Sequence, residues 1–315
     1  MITPINLRSL VLREQTAINP FRLMNTKGGR RRRHPCILVL DRKQEINVMP
    51  VNSLMLSLKL NTQLTPPPVR KNTNAELNRM NKGEVLAHTQ TRFALNHRAP
   101  TYEIVQRARG ENHGGWTAFN KCRMTGTDMF IHMDRRAPKS KGEFAGDKFH
   151  LSVAPEHVAR AFDAIGKLLQ ADDSPVDKWK VTDMSGVHTN APPEQARITQ
   201  GAQFTLYAKP DRADNTYSPE YMGKMRGLIS SIEHELRAAG IAQSRNRPAS
   251  DVAPGHWAYA SYRNEHKSER AGSSSQANEL ETEPFFQLVS FPDVAASPVN
   301  ANAGNRSLLP PPWTR

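Results

Sequence analysis

The sequence predicts an α+β fold, a single domain with a mainly antiparallel, twisted sheet and helices packed on its apolar side. Two stretches, residues 155–170 and 219–239, repeat apolar side chains at the spacing of an amphipathic helix. Five shorter stretches alternate apolar and polar side chains, as strands with one buried face do. These predicted strands are residues 129–133, 148–153, 178–181, 203–209 and 257–263.

Signals at both ends define the longer helix. Ser218 suits the N-cap, Pro219 suits the first helical position, and Gly240 suits the position after the last turn. The shorter helix carries Pro155 in its first turn. Both helices are therefore predicted to begin at a proline.

Composition divides the chain into three parts. Residues 1–75 contain four consecutive arginines at 30–33 and no lasting periodicity, so we predict a disordered leader. Residues 76–290 form the predicted folded domain. Residues 291–315, rich in Pro, Asn and Ser, are predicted to form a flexible tail.

The charge distribution excludes some classes of protein. The formal net charge is +13, and residues 1–127 hold 21 Lys and Arg against 7 Asp and Glu, whereas residues 128–315 hold 22 against 23. Because a nucleic-acid-binding domain usually carries its basic excess on the folded part, we expect no nucleic-acid partner.

Two cysteines, Cys36 and Cys122, support neither a disulfide framework nor a Cys-rich zinc site. We expect no membrane span, since no apolar run reaches about 18 residues.

Three of the predicted strands combine an apolar face with a basic one, because side chains alternate across a strand. The polar faces carry Lys148 and His150, Lys178 and Lys180, and Tyr207 and Lys209. If the strands pair in one sheet, this face repels itself unless an anion lies on it. A solvated face of an antiparallel sheet is the alternative, and it stays open on spacing alone.

Three arginines add to the candidate anion site. Arg263 and Arg270 are seven residues apart and would share a face if that stretch were helical, and Arg197 precedes the strand at 203–209. Each alone is more often a surface residue. Together with the lysines they would clamp a phosphate through bidentate hydrogen bonds.

Six segments of the chain resemble, in order and spacing, the phosphothreonine lyases, the OspF/SpvC family of type III secreted effectors. The likeness covers about residues 125–288 and is greatest to the plant-pathogen branch. Asp-Ser-Pro-Val-Asp-Lys-Trp-Lys-Val-Thr-Asp-Met at 173–184 is the most specific segment. The others are residues 128–132, 146–150, 201–207, 262–265 and 283–286.

The resemblance implies a lyase that acts on the pThr-x-pTyr activation loop of host MAP kinases. Such an enzyme eliminates phosphate from phosphothreonine and leaves dehydrobutyrine. It also implies secretion by a bacterial type III system into the host cytoplasm or nucleus, with a secretion chaperone as a further partner.

By position in the family's motifs, Lys180 corresponds to the general base and His150 to the general acid. The phosphate-binding positions are Lys148, Arg197, Arg263 and Arg270. The substrate groove, including its phosphotyrosine side, corresponds to Lys178, Tyr207, Lys209 and Phe130. His132, which lies outside the family's catalytic positions, is interpreted as structural.

One family feature is incomplete in this chain. Family members carry a kinase-docking segment of basic residues followed by alternating leucines. Residues 56–60 supply the alternation, but the nearest basic pair upstream, Arg42-Lys43, is distant. The segment is therefore either a docking segment or an incidental apolar patch.

The residue types suit β-elimination, which needs a strong base and an acid. A lysine is mostly protonated at neutral pH, so neighbouring cations must lower its pKa, whereas a bound phosphate would raise it. A histidine can hold a proton near neutral pH. Since elimination uses no water nucleophile, we expect no metal and no cofactor, and the sequence has no His-Glu-x-x-His motif.

Two other functions use similar residues. A phosphohydrolase would need a cysteine nucleophile in a phosphate-cradling loop, and the sequence around Cys122 lacks that pattern. A non-catalytic phosphopeptide-binding module would need the cations but not Lys180 and His150. The substitution Lys180→Ala distinguishes this module from a lyase.

Overall fold

The computed structural model describes residues 73–126, 128–186 and 193–292 of the 315-residue chain, all within one compact unit. Residues 1–72, with the arginine run and the leucine repeat, and residues 293–315 lie outside the described residues. The division into leader, domain and tail therefore stays a prediction.

Strands and helices alternate irregularly along the described residues. The strands are β1 (Arg109–His113), β2 (Trp116–Asn120), β3 (Phe130–Arg135), β4 (Asp147–Leu151), β5 (Lys178–Thr182), β6 (Phe204–Tyr207) and β7 (Ala260–Asn264). The helices are α1 (Thr73–Arg79), α2 (Lys82–Ala87), α3 (Tyr102–Val105), α4 (Lys121–Met124), α5 (Val158–Leu169), α6 (Pro193–Gln200), α7 (Pro219–Ala238), α8 (Ser274–Glu281) and α9 (Pro284–Ser290). Two short 3-10 helices span Pro155–His157 and Met184–Gly186.

The strands β1 to β7 pair antiparallel in one sheet, in the order β1-β2-β3-β5-β6-β4-β7. The predicted α+β fold with an antiparallel sheet is confirmed. The order places β6 between β5 and β4, so the three strands with basic faces are neighbours.

The apolar face of the central strands forms the core. Phe149, Trp179 and Leu206, one from each of β4, β5 and β6, have no exposed surface. Helix α5 contacts this face through Phe162, whose ring centroid lies 5.3 Å from that of Trp179. Burial of each large apolar side chain stabilises the fold by about 1.5–3 kcal/mol, and this fixes which face of each strand remains for polar groups.

The predicted end signals of α7 are confirmed. Ser218 is the N-cap and accepts a hydrogen bond from the backbone N–H of Tyr221 at 3.0 Å, and Pro219 is the first helical residue. Gly240 follows the helix with a φ of 63°, which costs glycine little. The other predicted helix begins at Pro155 as a 3-10 turn and becomes α-helical at Val158.

The hairpin of β1 and β2 is absent from the sequence prediction. Its strands flank Gly114 and Gly115, whose φ values of 56° and 88° suit the tight turn between paired strands. Strand β1 is almost entirely exposed, so it lacks the alternation that marks a strand with one buried face. Among the described helices, none is both long and apolar enough to cross a membrane.

Candidate active site

The sheet register places two of the predicted site residues on either side of a threonine. Lys180 of β5 pairs with Thr205 of β6, and Thr205 pairs with His150 of β4. Because neighbouring strands lie about 4.8 Å apart, the backbones of Lys180 and His150 are separated by about 10 Å. The lysine and histidine side chains are long enough to reach, from opposite sides, a group bound above Thr205.

A second row of side chains lies two residues further along the same strands. Lys178 of β5 pairs with Tyr207 of β6, which pairs with Lys148 of β4, which pairs with Arg263 of β7. Positions two apart in a strand share a face, so both rows lie on the side of the sheet opposite the core.

Apart from Lys178, the side chains of these two rows form the floor of an open cleft of about 920 Å³. Its walls come from α6, from the start of β3 and from the segment that follows β7. The predicted site residues that line the cleft are Phe130, Lys148, His150, Lys180, Arg197, Tyr207, Arg263 and Arg270. The remaining two, Lys178 and Lys209, line an adjoining groove that Tyr207 also borders.

Lys180 lies in a setting that favours its neutral form. Its Nζ is 3.7 Å from the centroid of the Phe130 ring and 6.0 Å from that of Tyr207. Burial lowers the pKa of Lys180 to about 8, and the nearby Lys148 also lowers it, whereas Asp128 raises it. From the sequence we expected neighbouring cations to lower the pKa of Lys180, but loss of solvation on burial lowers it more than those cations do. A lysine with this pKa is partly neutral near physiological pH and can act as a base.

His150 is fixed by a buried carboxylate. Its Nδ1 lies 2.6 Å from Oδ2 of Asp251, and both side chains are almost fully buried. The same carboxylate accepts hydrogen bonds from Ser261 at 2.8 Å and from Ser250 at 2.9 Å. Because Asp251 occupies Nδ1, Nε2 is the nitrogen left for the cleft.

The pKa values of this pair are shifted in the same direction. Burial lowers the pKa of His150 below its ordinary value, and the negative charge of Asp251 opposes only part of that shift. Burial alone would raise the pKa of Asp251, but its contacts with His150 and the serines outweigh burial and hold its pKa below the usual range. In the free protein His150 is therefore mostly neutral at neutral pH.

The cationic side chains of the cleft differ in how many of their hydrogen-bond donors already have an acceptor. Lys148 Nζ lies 3.0 Å from Oε2 of Glu265, and Arg263 donates hydrogen bonds to the Ser268 side chain at 2.9 Å and carbonyl at 2.6 Å. Nη2 of Arg197 lies 3.8 Å from Oδ1 of Asp251, an ion pair too long for a hydrogen bond, and neither this Nη2 nor the buried Nε has a hydrogen-bond partner among the described residues. Donors left unsatisfied in a cleft cost free energy unless a ligand accepts from them.

The stretch that joins Arg263 to Arg270 is not helical, so the two arginines do not share a helical face. Arg263 lies on β7, and Arg270 lies in an irregular segment after a turn. The two guanidinium groups nevertheless line the same cleft, because the chain folds back after β7. Arg270 is exposed, whereas Arg263 is buried.

The adjoining groove is partly aromatic. The ring of Phe144 lies 5.6 Å from that of Tyr207 in an edge-to-face arrangement, and burial raises the pKa of Tyr207 to about 12. Lys178 forms a 3.6 Å ion pair with Asp134. Lys209 lies on the same groove, which therefore offers a cationic site next to a flat apolar wall.

His132 lies beside this site on β3, where it pairs with Lys180 across the strands. Its Nε2 is 2.8 Å from Oδ2 of Asp128, and burial lowers its pKa below the ordinary value. It borders the adjoining groove rather than the cleft of Lys180.

Within residues 73–126, 128–186 and 193–292, no group of three or more His, Cys, Asp or Glu side chains is arranged to hold a metal ion.

Comparison with known proteins identifies the family. A family model described as OspF/SpvC matches residues 50–291. This chain belongs to the OspF/SpvC family. It is 49% identical over 164 residues to a protein of Salmonella typhimurium LT2 named MAPK phosphothreonine lyase, which covers 52% of this chain and 66% of that relative. The alignment thus spans slightly less than two thirds of the relative's length.

Two further similarities support membership of the OspF/SpvC family. The chain is 42% identical over 197 residues to phosphothreonine lyase OspF of Shigella flexneri, covering 62% of this chain and 78% of that protein. Its structure is similar to that of the VirA (SpvC) phosphothreonine lyase effector of Chromobacterium violaceum, with a TM-score of 0.63 and 38% identity. That match covers 70% of this chain and 99% of the other.

Three side chains of this OspF/SpvC-family site were not assigned a role from the sequence. Asp251 lies in an irregular loop 101 residues after His150, so no local pattern links the two. Glu265 stands in a family segment, but its contact with Lys148 depends on how β7 pairs with β4. Thr205 was visible on a polar strand face, yet its place between Lys180 and His150 depends on the strand order.

Proposed function

We propose that this protein is a phosphothreonine lyase, which removes phosphate from a protein phosphothreonine by β-elimination. The observation that carries the proposal is the placement of Lys180 and His150 on either side of Thr205, inside a cleft rich in cations. A base and an acid so placed can act on neighbouring atoms of one bound residue.

Lys180 is the proposed general base. Its neutral Nζ takes the proton from Cα of the phosphothreonine, and the electron pair of that C–H bond forms the Cα–Cβ double bond. A pKa of about 8 makes the neutral amine available without removing its basicity. The base ends the step protonated and returns its proton to solvent before the next turnover.

His150 is the proposed general acid. As the Cβ–O bond breaks, the bridging oxygen leaves with the phosphate and takes a proton from Nε2 of His150. Asp251 holds Nδ1 at 2.6 Å and stabilises the protonated imidazole needed at the start of the step. The phosphate dianion adds to this effect, because negative charge nearby raises the pKa of a histidine.

The phosphate itself is proposed to bind to Lys148, Arg197, Arg263 and Arg270. Positive groups in a cleft neutralise the charge that grows on the leaving phosphate, and this lowers the barrier. The unsatisfied donors of Arg197 support that role. Phe130 and Tyr207 line the cleft beside the reacting residue. The step uses no water nucleophile, so no metal-activated water enters it.

The substrate proposed for this protein is the pThr-x-pTyr loop of host MAP kinases. The name of the Salmonella relative, MAPK phosphothreonine lyase, supports this choice. The adjoining groove with Lys178 and Lys209 would take the second phosphate. Delivery by a type III system into the host cell, a secretion chaperone as partner, and the kinase-docking role of residues 56–60 rest on family membership.

The test is mass spectrometry of a pThr-x-pTyr peptide incubated with the full chain in the presence of EDTA. Elimination removes the mass of phosphoric acid and leaves dehydrobutyrine. Hydrolysis restores threonine, so the peptide loses the mass of phosphoric acid minus that of one water molecule. A loss of phosphoric acid supports the proposal, whereas regenerated threonine contradicts it.

The variant Lys180→Ala distinguishes a lyase from a phosphopeptide-binding module. We expect the variant to lose elimination while it retains phosphopeptide binding, because the phosphate-binding cations are unchanged. Lys167→Ala is the control, since it removes an exposed lysine of α5 that lines neither the cleft nor the adjoining groove. Equal elimination by wild type and Lys180→Ala would contradict the role of Lys180.

A further inference from the structure

Glu265 places a carboxylate among the cations of the cleft. It follows β7 directly, and its backbone N–H donates to the Gly146 carbonyl at 2.8 Å, which fixes the start of the turn. Its Oε2 lies 3.0 Å from Nζ of Lys148. The Lys148 side chain is 9% exposed, whereas that of Glu265 is 45% exposed. The carboxylate can therefore leave Lys148 for solvent without disturbing buried neighbours.

Two other carboxylates in and beside the cleft have different partners. Asp251, which lies behind His150 and does not line the cleft, is held by His150 and two serines, and its Oδ1 is 3.8 Å from Nη2 of Arg197. Asp128 contacts His132 and accepts from the backbone N–H of Phe130 at 2.9 Å. Of the carboxylates that line the cleft within the described residues, Glu265 is the one in an ion pair with a proposed phosphate-binding lysine.

We propose that Glu265 is a resident competitor of phosphate for Lys148, and so sets how tightly the cleft holds substrate and product phosphate. The inference rests on the proposed function, since that function makes Lys148 a phosphate ligand. A phosphate dianion carries about two charges and several acceptor oxygens against one charge on a carboxylate. Phosphate therefore displaces Glu265 when it binds, and Glu265 returns to Lys148 when phosphate leaves.

The competition matters most after elimination. Inorganic phosphate remains surrounded by Lys148, Arg197, Arg263 and Arg270, and such a cluster binds phosphate tightly. A carboxylate ready to replace the product at Lys148 lowers the free-energy cost of its departure. Repulsion between Glu265 and the bound dianion acts in the same direction.

The test is the affinity of the full-chain variant Glu265→Gln for inorganic phosphate, followed by 31P NMR titration. Glutamine keeps the size of the side chain but lacks the charge. We expect the dissociation constant for phosphate to fall about fivefold, the change expected when a partly exposed ion pair no longer competes. Glu269→Gln is the matched control, because Glu269 is exposed on the same segment but does not line the cleft.

A second comparison keeps the result specific to Lys148. In the Lys148→Met background, Glu265→Gln should increase the affinity for phosphate less than it does in the wild-type background, because residue 148 no longer forms an ion pair with residue 265. An unchanged or weaker affinity of Glu265→Gln for phosphate overturns the proposal, and so does an equal gain in Glu269→Gln. Phosphate binding is measured without turnover, so failure of this proposal is distinguishable from an absence of elimination.

Discussion

Lys180 and His150 lie on the two strands that flank β6, with Thr205 alone between them in the row. The proposed reaction needs Lys180 neutral and His150 protonated. In the free protein burial lowers the pKa of Lys180 to about 8 and that of His150 below its ordinary 6.5. Near neutral pH the proton is thus mostly on the lysine, and the active form is a minority form.

The first prediction is a bell-shaped dependence of kcat/KM on pH. Below the pKa of His150, activity rises with pH because Lys180 must lose its proton. Above the pKa of Lys180, activity falls because His150 no longer holds one. We expect the alkaline limb at about pH 8 and the acid limb below 6.5, measured on a phosphopeptide from about pH 5.5 to about pH 9.5. A profile that rises throughout this range would contradict the need for a protonated acid.

The second prediction concerns His150→Asn. Without the histidine, the ionisation of Lys180 alone remains, so the residual activity should rise through about pH 8 and then level off. The maximal rate should fall on the order of 10²- to 10⁴-fold, the usual contribution of a general acid. A bell that persists at low activity would assign the alkaline limb to another group.

His132→Asn is the matched control for that variant. His132 is also paired with an aspartate and lies in the same row as Lys180, but it borders the adjoining groove. We expect less than about tenfold loss of rate and an unchanged pH profile. A loss as large as that of His150→Asn would make His132 the acid and correct its interpretation as structural.

The third prediction concerns the positioning of His150 by Asp251. Asp251→Asn keeps the shape of the side chain but removes the charge that opposes the effect of burial on His150. The pKa of His150 should fall further, so the acid limb of kcat/KM should move to lower pH and kcat should drop about 10²-fold. A lower kcat without movement of the acid limb would indicate a structural role alone.

The sequence was sufficient for the faces of the central strands, because alternation along a strand is a local property. Lys148, His150, Lys178 and Lys180 were each placed on the face where the structure has them. The family segments then supplied candidate roles that alternation does not provide.

The arrangement across strands was beyond the sequence, because pairing between distant strands leaves no local pattern. β6 lies between β5 and β4 although it follows both in the chain. The contacts Asp251–His150 and Glu265–Lys148 both depend on the position of β7 next to β4 or of the loop before it. The edge hairpin was missed because β1 is polar on both faces.

The fourth prediction concerns the support beneath the two lysines of β5. Trp179 is fully buried between them on the core side, and its Nε1 has no hydrogen-bond partner among the described residues. Trp179→Ala should lower the free energy of unfolding by about 3–5 kcal/mol, because it leaves a cavity beside Phe162. Trp179→Phe should cost under about 2 kcal/mol, since it keeps an aromatic ring and removes an unsatisfied donor. Urea denaturation measures both, and equal costs would contradict this account.

The last prediction concerns the adjoining groove and the second phosphate of the substrate. Lys209 lies there with Lys178 and Tyr207, away from the row of Lys180. Lys209→Ala should raise KM for a pThr-x-pTyr peptide about tenfold, the effect of losing one charge-assisted contact. KM for the pThr-x-Tyr peptide should stay unchanged, because that peptide has no phosphate to place in the groove.

Lys167→Ala is the control for this last comparison. Lys167 is exposed on α5, which packs on the other side of the sheet, and its replacement changes the net charge equally. If Lys209→Ala raised KM for both peptides alike, Lys209 would act on the phosphothreonine or on the whole peptide. A rise confined to the doubly phosphorylated peptide, absent in Lys167→Ala, would assign the groove to phosphotyrosine.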